Sequence, residues 1–141
     1  QSGSPFTVSL LSELDNSNTG RAALGFGFND RPNVIADPNV QNPSADAWFN
    51  TKAFELPPFG SFGDAGRNIL EGPGFANISL ALVKHASISD GGRLQFRVEA
   101  FNLLNRVNLG LPNAFLGSPR FGQIGSAGSA RRLQIGVRLL F

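Results

Sequence analysis

The chain has 141 residues, no Cys and no Met, and a formal net charge of +2, with only 16% of its residues charged. That length holds one ordinary domain. The missing Cys excludes disulfides and thiolate metal sites, and the small charge, carried by scattered basic residues, argues against a nucleic-acid partner. With 17 Gly and 9 Pro, the composition favours turns and loops over helices. No apolar run approaches the roughly 18 residues of a membrane helix, and no signal peptide is visible.

In chain order, residues 5–11 read as a first strand, since Phe6, Val8 and Leu10 alternate with Thr7 and Ser9. From Ser12 to about Gly74 the periodicity dissolves. Asp15 to Gly20 is turn-rich, Gly25 to Asp30 is a candidate short strand, and Ala45 to Phe54 is the one plausible short helix. The expectation for residues 12–74 is a long irregular loop, of a kind usually functional when found in a compact domain.

Regular structure returns at residues 75–88, where Ile78, Leu80 and Leu82 alternate with Asn77, Ser79 and Ala81. Asp90-Gly91-Gly92 signals a tight turn into a strand over residues 93–105. There Leu94, Phe96, Val98 and Ala100 alternate with Gln95, Arg97 and Glu99. A second loop, residues 106–130, leads to residues 131–141, in which Leu133, Ile135, Val137, Leu139 and Phe141 alternate with Arg132, Gln134, Gly136, Arg138 and one apolar exception, Leu140. A period of two marks strands with one apolar and one polar face. Two environments satisfy such strands. The apolar face packs on a second sheet in a soluble β-sandwich, which would be a binding or adhesion module, or it faces lipid while the charges line a wet lumen.

Spacing favours lipid. Strands of this length match the 9–11 or so residues that cross a bilayer at a tilt. A short turn alternates with long loops, as in outer-membrane barrels. The fold class expected is all-β: antiparallel strands forming the C-terminal segment of a transmembrane β-barrel, with long irregular loops. The four strands are too few to close a barrel, which needs about eight, and without any Met the chain reads as a processed mature protein or a piece of a longer one, the piece being favoured.

Several stretches carry a family resemblance. They are Gly66-Arg67-Asn68-Ile69-Leu70-Glu71-Gly72-Pro73-Gly74-Phe75, then Leu94 to Asn105 with its Arg-Val-Glu-Ala-Phe-Asn-Leu-Leu-Asn block, then Phe121-Gly122-Gln123-Ile124 and the final run to Phe141. Gln1 to Val8 and Trp48 to Phe54 join them, so nearly the whole chain is covered. Together they resemble the C-terminal end of Oar-like TonB-dependent receptors. The resemblance implies a 22-stranded barrel in the outer membrane of a Gram-negative-type bacterium, with a plug and a TonB box upstream of Gln1. It implies uptake of a bulky nutrient driven by the TonB complex, and insertion by the outer-membrane assembly machinery. Outer-membrane lipid and the rest of the barrel are then the partners.

Under that reading Gln95, Arg97, Glu99, Gln134 and Arg138 are lumen-facing candidates. Their ordinary alternative is a solvated sheet face. Val137, Leu139 and Phe141 fit the C-terminal assembly signal, against an ordinary last strand. No catalytic constellation is legible, and no cofactor or metal is implied. His85, the single His, lacks partners at readable spacing. Asp30, Asp37, Asp46 and Asp64 match no calcium-loop spacing and read as solvated loop acids. Gly25-Phe26-Gly27-Phe28 lacks the third Gly of a nucleotide fingerprint. Asn77-Ile78-Ser79 matches a glycosylation sequon by chance inside a strand. The expectation is a protein that is not an enzyme.

Overall fold

The computed structural model describes residues 2–11, 13–21, 29–88 and 91–141. The candidate strand over Gly25–Asp30 falls mostly outside these residues, as does Asp90 of the turn signal. The chain divides into two compact units, Gln1–Gly74 with Leu109–Ser126, and Phe75–Asn108 with Ala127–Phe141. It is all-β, with a 3₁₀ turn at Thr51–Ala53.

The first unit is built from pairs of two-residue strands. β1 (Pro5–Phe6) pairs antiparallel with β5 (Leu70–Glu71). β2 (Ser9–Leu10) pairs with β8 (Phe115–Leu116) in the one parallel arrangement. β3 (Asn33–Val34) pairs antiparallel with β4 (Phe54–Glu55). The strand expected over residues 5–11 is thus two strands with different partners. The alternation itself holds, since Phe6, Val8 and Leu10 are all buried. Pairing breaks between them because Thr7 is claimed by a turn. Its Oγ1 accepts from the Asn68 backbone N–H (2.9 Å), and Asn68 adopts a positive φ of 55° that turns the neighbouring chain away. Beyond that break Leu10 donates its N–H to the Asp30 carbonyl.

The stretch expected to be an irregular loop over residues 12–74 is poor in regular structure, yet it supplies most of a core. Phe6, Val8, Phe49, Ala53, Phe54 and Leu70 form a buried cluster, with Trp48 and Phe121 packed against it. Phe49 stands edge-on to both Phe54 and Phe121, with ring centroids 5.8 and 5.2 Å away, a favoured aromatic geometry. The expected helix over residues 45–54 shrinks to the 3₁₀ turn. Asn50 caps it by accepting from the Lys52 N–H (3.2 Å), and Phe54 has already returned to extended backbone.

The second unit carries one antiparallel sheet in the order β6 (Leu80–Ser87), β7 (Arg93–Phe101), β9 (Arg132–Leu140). These strands lie inside the ranges read from periodicity and are shorter. The expected first strand begins at Leu80 rather than residue 75, and β7 stops at Phe101 rather than residue 105. The reason for the second stop is Asn102, buried and with φ 50°. Residues 88–92 join β6 to β7, with Gly91 at φ 85° and the Ile88 N–H bonded to the Gly92 carbonyl at 2.8 Å. Glycine meets that positive φ without steric cost.

Candidate functional site

The sheet of the second unit sorts its side chains by chemistry, and the register shows how. Paired residues on neighbouring antiparallel strands point to the same face. Leu80 lies opposite Ala100 and that opposite Leu133. Leu82, Val98 and Ile135 form the next row, Lys84, Phe96 and Val137 the third, and Ala86, Leu94 and Leu139 the fourth. Eleven of these twelve residues are apolar by the register just given. On the other face the rows are Ala81, Glu99 and Gln134; Val83, Arg97 and Gly136; His85, Gln95 and Arg138; and Ser87, Arg93 and Leu140.

Gln95, Arg97, Glu99, Gln134 and Arg138 therefore share one face of one sheet. Arg97 donates to Glu99 in a 2.6 Å ion pair along β7. His85 and Gln95 approach through their Nε2 atoms at 3.4 Å, which absorbs the single His into the polar face. Arg132 lies over the ring of its cross-strand neighbour Phe101, 5.4 Å from the centroid, a cation–π distance. Val137 and Leu139 take their places in the apolar rows, and Phe141 follows β9 fully exposed.

Among the described residues of this unit, nothing covers the apolar face. Leu82, Phe96, Val98, Ile135, Val137 and Leu139 are all exposed, Ile135 to 77%. Burying one such side chain stabilises by roughly 1.5–3 kcal/mol, so six forgo on the order of 10 kcal/mol in water. That is as large as the whole stability of a typical domain, about 5–15 kcal/mol. A face of this kind needs an apolar environment. β7 and β9 have nine residues each, at the lower bound of a tilted strand that crosses a bilayer.

On the polar face Ala81, Val83 and Leu140 are apolar exceptions, and on the apolar face one residue is charged. Lys84 stands on the apolar face between Leu82 and Ala86, opposite Phe96. The sequence pattern does not single it out. It lies three positions from Ser87, the last residue of β6, so its flexible stem can carry the ammonium toward the hairpin end.

The opposite end of the sheet is fastened by asparagines, which sequence reading missed. The Asn102 side chain donates to the carbonyls of Arg106 (3.0 Å) and Ser129 (3.1 Å) and accepts from the Arg106 N–H (3.0 Å). Asn108 accepts from the Ala76 N–H (3.0 Å), and Asn105 from the Arg131 N–H (3.0 Å). These bonds draw together the points where the chain leaves the sheet after β7 and rejoins it before β9. The available signal is the Asn-Leu-Leu-Asn run, because Asn tolerates positive φ and bonds nearby backbone, and both Asn102 and Asn105 have φ 50°.

The loop acids have structural partners. Both carboxylate oxygens of Asp30 accept from Ser17, one from its N–H (2.8 Å) and one from its hydroxyl (3.0 Å). Asp64 accepts from the Val34 N–H (2.8 Å). Asp37 accepts from the Asn39 backbone N–H and then from its side-chain amide, both at 2.9 Å, which holds its pKa below the usual carboxylate value. Asp46 is exposed. Among the described residues no three His, Cys, Asp or Glu side chains group as a metal site.

An open antiparallel sheet with an uncovered apolar face and a charged opposite face defines a class, the wall of a membrane β-barrel. Residues 1–134 match the family model of the outer membrane beta barrel domain, and the chain belongs to that family. The protein is placed in the outer membrane of a Gram-negative-type bacterium. No curated protein and no solved structure matches the chain.

Proposed function

We propose that the chain is part of an Oar-like TonB-dependent receptor, contributing barrel wall and extracellular loops to the uptake of a bulky nutrient. The observation that carries the reading is the face sorting of β6, β7 and β9 in a chain of the outer-membrane barrel family. The apolar rows face lipid. Gln95, Arg97, Glu99, Gln134 and Arg138 face the lumen, where water solvates charge. The short 88–92 connection lies on the periplasmic side together with Phe141. The long connections, residues 12–74 and 106–130, are the extracellular loops.

Three long strands leave two unpaired edges, and lipid does not tolerate unpaired backbone groups. The remainder of the barrel therefore supplies the neighbours of β6 and β9. The TonB complex drives transport, and the assembly machinery reads Val137, Leu139 and Phe141. In this reading the chain performs no catalysis and holds no cofactor. The test is uptake by cells. A strain lacking the receptor and a strain lacking the TonB complex should lose accumulation of the same bulky nutrient. Receptor-dependent passage that continues at full rate without the TonB complex overturns the proposal.

A further inference from the structure

The first unit contains an open cavity of about 680 Å³, within the range of small-ligand sites, roughly 300–1,000 Å³. Its lining is unusual in charge. Arg21, Arg31 and Arg67 all border it, together with Ser9, Phe62 and Phe115. Asp30 is the single carboxylate on the wall. It is buried, and both its oxygens are engaged by Ser17. Among the described residues the only ion pair is Arg97 with Glu99, so none of the three guanidinia has a carboxylate partner there. A guanidinium cannot shed its proton, and its planar fork matches an oxyanion in a bidentate manner.

One of the three is held in place. Arg31 donates through an Nη to the Ala65 carbonyl, which leaves its other donors for a ligand. Gly63, also on the wall, brings backbone close, since a Cβ there would lie 2.1 Å from the Arg31 carbonyl oxygen. Phe62 is exposed, and an aromatic face suits the flat side of a sugar or aromatic ring.

We propose that this cavity is a binding site for a small ligand that carries an oxyanion, a carboxylate or phosphate, on a ring. The arginines take the oxyanion, and the two phenylalanines flank the ring. The inference does not rest on the uptake reading, since it concerns the residues of the first unit alone.

The test uses the complete barrel that contains this chain, refolded in detergent micelles and titrated calorimetrically with glucuronate, glucose 6-phosphate and glucose. The three share a ring and differ in the anion. At least one acidic sugar should bind saturably, and glucose should bind at least about tenfold more weakly, as expected when a charge-assisted pair is absent. The charged probe that binds more tightly identifies the oxyanion. Arg67→Gln, an exposed position outside the core, should weaken that binding about tenfold, and the Arg21→Gln, Arg67→Gln double variant further. Trp48, packed on the core, reports by its fluorescence that the unit is still folded. Equal binding of glucose, no saturable binding of either acid, or undiminished binding by the folded double variant overturns the assignment.

Discussion

The facing of β9 can be tested by two neighbouring substitutions, Ile135→Lys and Gln134→Lys. They insert the same side chain one position apart, on opposite faces of the strand. Ile135 is one residue from Gly136, the middle of the nine-residue strand, and is exposed to 77% in the unit. If its row faces lipid, the lysine introduced by Ile135→Lys lies near mid-bilayer depth, where it costs about 2–4 kcal/mol. That is roughly a 30-fold to several-hundred-fold loss in the folding equilibrium. Gln134 stands in register with Glu99. A lysine there enters the polar face opposite a carboxylate, a cross-strand pairing worth about 0.2–1 kcal/mol in its favour. The assay is denaturant unfolding of the complete barrel from lipid vesicles, with the folded fraction read as the heat-modifiable band on unboiled gels. The ordering is the result that matters. A Gln134→Lys barrel less stable than the Ile135→Lys barrel would reverse the two faces and remove the wall assignment.

Three further outcomes are expected. Lys84→Leu should leave the barrel at least as stable in lipid, with a gain of up to about 2 kcal/mol, because it removes the one charge from the apolar rows; marked destabilisation in the same unfolding assay would show that Lys84 has a required partner. Asn102→Ala, which leaves the Arg106 and Ser129 groups without their partner, should cost roughly 2–4 kcal/mol by the same measurement, and a cost under about 0.5 kcal/mol would mean that water replaces the side chain. For Asp37, the folded-state pKa lies below the unfolded one, so its contribution to stability is present above the unfolded value and fades as pH falls through the folded one; NMR titration should place its midpoint below that of Asp in an unstructured peptide, and a midpoint at or above it contradicts the two bonds from Asn39.

Phe141→Ala separates assembly from packing. Phe141 is fully exposed in this unit, and even partial desolvation of such a ring at the membrane interface is worth only about 1–2 kcal/mol, small beside the stability of a closed barrel. The expected defect is kinetic, with the barrel protein accumulating unassembled in the periplasm while the inserted fraction resists heat almost like the wild type. Normal amounts of folded barrel would contradict a role in assembly.

What the residues alone determined was the sheet. A period of two is fixed by strand geometry, so Leu133 to Leu139 and Leu94 to Ala100 disclosed their common face without any partner in view. The polar rows of Arg97, Glu99, Gln134 and Arg138 followed from the same arithmetic. Lys84 escaped because one charge does not disturb an alternation; only the register, which sets it opposite Phe96, shows where it stands. The first unit was not legible, and for a physical reason. Its strands are two residues long, too short for any periodicity, and its core is gathered from Phe6, Phe49, Phe54 and Leu70, separated by long stretches of chain. Contacts of that kind depend on how loops close, which local sequence does not encode. The cavity with Arg21, Arg31 and Arg67 has the same origin. Three arginines scattered singly along the sequence read as solvated surface, and only tertiary closure brings them to one wall.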